Sequence, residues 1–182
     1  MNIRITKQAV DGQTLTIEYQ TRNDSDKTVY QVHSLCRGWD DDGNPRPDNQ
    51  TAYRILKGDV IQLHLNFISP PDNLVLEVVQ YPLFVAVSPS GSRTGRIKVS
   101  LPLRPHRPYQ KDKETYDHLP IIERPWELIV GYIGQPILED SLPEPRTLPD
   151  GEKGWEIFTL QVEKLKAVRV SGDSHVPSQF PL

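Results

Sequence analysis

Residues 14–20 read TLTIEYQ, with Leu15, Ile17 and Tyr19 alternating with Thr16, Glu18 and Gln20. The alternation returns over 61–67, IQLHLNF, where Gln62, His64 and Asn66 separate Ile61, Leu63, Leu65 and Phe67, and over 97–103, IKVSLPL. Successive side chains on a strand point to opposite faces, so a period of two turns one face to a core and the other to water. One-sided burial of this kind belongs to antiparallel sheets. The pattern predicts an all-β fold in which Leu63 and Val99 face inward while Gln62 and Lys98 face solvent.

Working outward, turn chemistry separates further strands. Strands are predicted over about 3–9, 13–22, 28–35, 52–56, 59–68, 74–80, 83–88, 95–103 and 126–134, with a last one from Trp155 to Val170 broken near Lys164. Asp11-Gly12 suits the positive φ of a hairpin turn, and the chain turns at Lys57-Gly58-Asp59 between the 52–56 and 59–68 strands. Asn23-Asp24-Ser25-Asp26 breaks the chain between the second and third strands. Pro70-Pro71 ends another, since proline cannot donate to a ladder. WELIVGYIG, 126–134, holds apolar residues in succession, which suits burial on both faces. Nine of the seventeen prolines lie between Pro102 and Pro149, so 104–125 and 135–154 are predicted as long irregular loops. A polar loop is predicted over 36–51. Residues 171–182 hold few apolar anchors and are predicted to form a flexible C-terminal tail behind a single domain over 1–170.

About ten short strands with frequent turns and no convincing helix predict an antiparallel β-sandwich with Greek-key connections and long proline-rich loops. The alternating strand, the Asn-Asp-Ser turn and the strand that follows it resemble many immunoglobulin-like domains. The resemblance is architectural only, because the Cys…Trp…Cys framework of antibody domains is absent.

Composition narrows the function classes. The 182 residues carry 21 Lys and Arg against 24 Asp and Glu, a net charge of −3. No global nucleic-acid footprint follows from that balance, and an anionic membrane surface is equally unsupported. Cys36 is the only cysteine, which excludes an internal disulfide and fits an intracellular protein. The N-terminal MNIRITKQAV contains no apolar leader core, and no run approaches the roughly 18 apolar residues of a membrane span. The expected location is the cytoplasm, with no nucleic-acid or membrane partner.

Four places could carry chemistry. In Asp40-Asp41-Asp42-Gly43-Asn44 the oxygen-bearing residues Asp40, Asp42 and Asn44 are spaced as Ca²⁺ ligands often are. Glycine stands at the fourth loop position and Thr51 at the twelfth, so the EF-hand pattern fails. An ordinary solvated turn, in which Asp and Asn cap their own backbone, accounts for the same residues. His33 and Cys36 are three apart at a strand end, where side chains three apart point to opposite faces; with one cysteine a Cys-rich zinc site is excluded. Ser88-Pro89-Ser90-Gly91-Ser92 lacks the GxSxG elbow and reads as a turn. Arg104-Pro105-His106-Arg107-Pro108-Tyr109-Gln110-Lys111 is basic, proline-stiffened and carries one aromatic, which suits either an extended solvated connection or a contact with an acidic partner. Trp39 lies in the acidic loop, where it could anchor a sugar or a partner pocket or fold back over the sheet edge.

These observations point to a non-catalytic binding module with a protein partner. Its expected contacts are Trp39, Asp40, Asp42, Arg104, Arg107 and Tyr109, and no catalytic residue, cofactor or metal is assigned. Two alternatives stand beside it: a metal-assisted hydrolase or sugar-binding domain using the acidic 40–48 loop, and a structural subunit of a larger assembly.

Overall fold

The computed structural model describes residues 1–41, 45–70, 82–109, 116–134, 142, 144–148, 151–156 and 165–181. Among them the chain forms strands and no helix: β1 (Asn2–Asp11), β2 (Thr14–Arg22), β3 (Val29–Trp39), β4 (Pro45–Asp48), β5 (Tyr53–Lys57), β6 (Val60–Leu65), β7 (Leu83–Val87), β8 (Ser92–Ser100), β9 (Ile122–Arg124), β10 (Trp126–Ile133), β11 (Arg146–Thr147), β12 (Lys153–Glu156), β13 (Leu165–Ser171) and β14 (Val176–Ser178). No helix of the described residues is long and apolar enough to cross a membrane. The strand predicted over 74–80 falls on residues outside those described.

β1, β2 and β8 form a three-stranded sheet, antiparallel throughout. Its hairpin closes at Gly12, which takes φ +55°, the left-handed conformation glycine adopts at no steric cost. Along β2 the alternation predicted from sequence is realised: Leu15, Ile17, Tyr19 and Thr21 are buried and the residues between them are less so. Asn23, fully buried, ends β2. Its amide donates to the carbonyls of Lys27 at 2.7 Å and of Val87 and Ser88 at 3.0 Å, while its Oδ1 accepts from the Ser25 backbone N–H and hydroxyl.

The larger sheet runs in the order β11-β12-β7-β3-β10-β6-β5, with β13 on β10 and β4 on β3. It is mixed. β10 runs parallel to β6, pairing Trp126–Val130 with Ile61–Leu65, and antiparallel to β3 at Tyr132 and Ile133. β13 runs antiparallel to it along Glu127–Ile133. With neighbours along both edges and only Glu127 and Tyr132 partly exposed, β10 is buried on both faces, as its apolar run predicts. The parallel pairing departs from the purely antiparallel expectation, and the mixed sheet is not clearly immunoglobulin-like. The β5–β6 hairpin turns at Gly58, φ +59°.

One apolar cluster draws from both sheets: Leu15, Ile17 and Tyr19 from β2, Ile97 and Val99 from β8, and Val32, Leu63, Leu65, Phe84, Leu128 and Val130 from the mixed sheet. Each such side chain contributes about 1.5–3 kcal/mol by leaving water.

Three expectations need correction. The 36–51 stretch is not one loop: β3 continues to Trp39 and β4 pairs back on it, Leu35 opposite Asp48 and Trp39 opposite Pro45. The residues after Ser171 are not a loose tail, because β14 pairs antiparallel with β9 and Val176 and Phe180 are 1% and 6% exposed in the core. Two apolar anchors and one short ladder suffice to hold a segment with little periodicity. Gln62 does not face water: it is 7% exposed, and its amide donates to Glu127 Oε1 at 2.5 Å. Gln62 is thus a buried polar position on a face where Arg169 and Ser171 are exposed.

Candidate functional site

Of the residues singled out by sequence, Arg104 and Tyr109 come together around β5, the last strand in the order of the mixed sheet. The segment after Leu103 crosses this edge: Arg54 and His106 exchange backbone hydrogen bonds of 2.8 and 3.1 Å. Arg104 pins the segment from the other side. Its Nε donates to Gln179 Oε1 at 3.0 Å and its Nη2 to Asp117 Oδ1 at 2.5 Å, while its carbonyl accepts from Arg54 Nε at 2.8 Å. Gln179 in turn donates to the carbonyl of Leu119 at 2.9 Å. The proline-rich connection is therefore held by charge-assisted bonds, which are about twice as strong as neutral ones.

Tyr53 on β5 meets this segment. Its ring is 5.7 Å from that of His106. Burial pushes its hydroxyl well above the ordinary tyrosine range, and Tyr109 and Cys36 push the same way. Burial likewise lowers the Arg54 guanidinium from its usual value. Tyr109 takes φ +66°, a left-handed conformation that costs a non-glycine residue about 1–2 kcal/mol. Arg107, beside it, is exposed.

Trp39 ends β3 rather than lying in a loop, Asp40 is half-buried, Asp41 is exposed, and Asp42 lies outside the described residues. Among the described residues no three His, Cys, Asp or Glu side chains are grouped to hold a metal ion. Cys36 is buried and forms no internal disulfide, being the only cysteine.

Sequence reasoning missed a second site. A cleft of about 530 Å³ is lined by Tyr19, Gln31, His33, Gln50, Arg93 and Glu152, among others. It opens where β8 carries Gly95 opposite Tyr19. A Cβ on Gly95 would stand 2.3 Å from the Tyr19 ring, so only glycine lets the ring lie across the strand. Burial raises the Tyr19 hydroxyl above its usual value, against the opposing effect of Arg93. Behind it, Thr21 Oγ1 donates to Gln31 Oε1 at 2.5 Å, both residues being buried. Two ion pairs flank the cleft, Arg93 Nη1 to Glu152 Oε2 at 2.5 Å and Arg96 Nη2 to Glu18 Oε1 at 2.6 Å. The arrangement offers donors and acceptors of both signs to a polar ligand, and its volume falls in the range of about 300–1,000 Å³ usual for ligand sites. The one local signal was a polar residue, Thr21, on the inward face of β2; the other walls come from segments far apart in the chain.

A third polar group sits around Gln62 on the mixed sheet. His64 Nε2 is 3.0 Å from Gln62 Oε1, and Arg169 Nη1 is 3.8 Å from the Glu127 carboxylate that Gln62 also meets. Burial holds the His64 imidazole low, to about 4; Glu127 opposes this, and Arg169 and Lys57 reinforce it. No protein-family model matches the chain, and no curated protein or solved structure shows significant similarity to it.

Proposed function

We propose that the chain is a non-catalytic binding module, a two-sheet β-sandwich that meets a protein partner through the Arg104–Tyr109 segment, with Trp39, Asp40 and Asp42 as further contacts. The observation that carries this is the Arg104 clamp. Its bonds to Gln179 and Asp117, and that of Arg54 to its carbonyl, order the segment before any partner arrives, while Arg107 stays exposed. A preordered loop avoids about 0.5–1.5 kcal/mol of ordering cost per side chain on binding, and arginine and tyrosine are favoured interface anchors. A cytoplasmic location suits this reading, because a single cysteine permits no internal disulfide.

A photo-crosslinking amino acid placed at position 107, and separately at exposed Lys166 on β13, tests it in cells. A discrete adduct at 107 that is absent at 166, and that Asp40→Ala combined with Tyr109→Ala removes without changing the circular dichroism, supports the module. Equal labelling at both positions, or an adduct indifferent to the double substitution, rejects it. Turnover of a substrate by the purified protein, lost with Asp40→Ala, would establish the hydrolase alternative instead.

A further inference from the structure

The outer edge of β8, unpaired over Ser92–Arg96 among the described residues, goes beyond that reading, because it lies on a different sheet. β8 is the last strand of its sheet, and three hydrogen bonds settle which of its residues face outward. Leu101 donates to Gln13 at 2.7 Å and Asn23 donates to Gly91 at 2.9 Å. In the register that pairs Ile17 with Ile97 and Tyr19 with Gly95, these bonds continue the ladder on the odd-numbered residues of β8. In an antiparallel pair, hydrogen-bonded and non-bonded pairs alternate. Ser92, Thr94, Arg96 and Lys98 therefore direct their N–H and C=O groups away from β2. Lys98 confirms the direction, since its N–H donates to the carbonyl of Gln50 at 2.7 Å.

That rung is where the pairing stops. Among the described residues the outward backbone groups of Ser92, Thr94 and Arg96 have no backbone partner, and all three residues are exposed. From Ser92 to Arg96 the open row spans roughly 14 Å at about 3.4 Å per residue. Alongside it lies the 530 Å³ cleft, with Gln31, His33 and Gln50 in its lining. An unpaired row of this kind accepts an added strand, whose backbone supplies affinity and whose alternate side chains supply selectivity.

We propose that this edge binds an extended peptide segment of a partner protein, added as a fourth strand beside β8, with polar hydrogen-bonding side chains entering the cleft toward Gln31 and His33. Two observations choose this occupant. The Gln50 carbonyl already accepts from the Lys98 N–H, so an outward donor of this edge is met by another stretch of main chain. The cleft lies beside the edge, so a single strand can use both, whereas the edge of a second copy brings its whole sheet with it. The polar lining selects against an apolar segment, and the Arg93–Glu152 and Arg96–Glu18 pairs leave little net charge for a strongly charged one.

Peptides selected from a displayed library of random linear 12-mers, then synthesised, serve as the probe. Hydrogen exchange followed by NMR on the unmodified protein is the first measurement. On saturation the Thr94 and Arg96 amides are expected to slow by at least tenfold, while those of Gly95 and Ile97, already bonded to β2, change little. The second measurement is Thr94→Pro, which deletes an outward donor and leaves the β2 ladder intact, as proline is tolerated on an edge strand. Affinity is expected to fall at least tenfold with an unchanged thermal midpoint. The proposal is overturned if the library yields no binder tighter than 100 µM, if bound peptide protects the Arg104–Tyr109 segment instead, or if sedimentation shows that a dimer of this chain occupies the edge and that Thr94→Pro dissolves it.

Discussion

β2 and β10 are both rich in apolar residues, yet they meet the rest of the molecule in different ways. β2 alternates strictly, buried residues against less buried ones, because its sheet has one face on the core and one toward water. β10 is buried almost throughout, because β6, β3 and β13 line its edges. In the first sheet an outward position is a solvated position. In the second an outward position can be a buried polar one, where every donor and acceptor must find a partner.

Substitution of matched pairs tests this difference most strongly. Leu63→Asp and Val99→Asp both place a carboxylate in the shared core, and both should abolish folding, since the cost of several kcal/mol approaches the total stability of a domain. Their outward neighbours should part company. Lys98→Asp should stay within about 0.5 kcal/mol, as surface changes usually do. Gln62→Asp should cost about 2–4 kcal/mol, because it removes the donor that Glu127 accepts and sets a second carboxylate beside it. Urea unfolding of the four variants reads both contrasts. Equal, small losses at 62 and 98 would mean that the two outward faces are hydrated alike.

A smaller effect sharpens the description of the three-stranded sheet. Gly95→Ala should cost about 1–3 kcal/mol, as overpacking does, because the new methyl would overlap the Tyr19 ring. Replacing that ring first, with Tyr19→Val, should remove most of the penalty, so a double-mutant cycle should show a coupling of about 1 kcal/mol or more. Additive losses would place the strain elsewhere in β8.

The smallest expected effect belongs to the mixed sheet and to pH. The His64 imidazole is depressed to about 4 from an ordinary value near 6.5. The folded state therefore disfavours its protonation. Its stabilising contribution is fully present above about pH 6.5 and is lost as the pH falls through about 4, where the unfolded chain binds the extra proton. Allowing for partial solvation, the loss should be about 1–2 kcal/mol. Denaturant unfolding at pH 7, 5.5 and 4 should show it, and His64→Gln should flatten that part of the profile. An unchanged profile in the variant would assign the pH dependence to other groups.

Much of the strand content was legible because its signals are local. Alternation in TLTIEYQ and IKVSLPL, glycine at the two hairpin turns, and the apolar run of WELIVGYIG each report on a few neighbouring residues, and the structure follows them. Part of the candidate site was legible for the same reason: Arg104 and Tyr109 lie in one stiff basic segment. Trp39 was misplaced because β-pairing across the β3–β4 turn leaves no alternating apolar trace. The C-terminal strand was missed because Val176 and Phe180 are too few to show a period. The cleft was invisible because Tyr19, Gln31, Arg93 and Glu152 are ordinary surface or strand residues until the two sheets approach.

The sequence by itself determined an all-β chain, where many of its strands begin and end, and which face of β2 and β8 enters the core, since these depend on side-chain alternation and turn conformation within short windows. The tertiary structure alone decided the parallel pairing of β6 with β10, the burial of Gln62, the crossing of the β5 edge by the Arg104 segment and the placing of the β8 edge beside its cleft. Those depend on which distant strand satisfies a given row of backbone hydrogen bonds, and backbone groups are the same at nearly every residue, so the order of side chains along the chain carries little record of the choice.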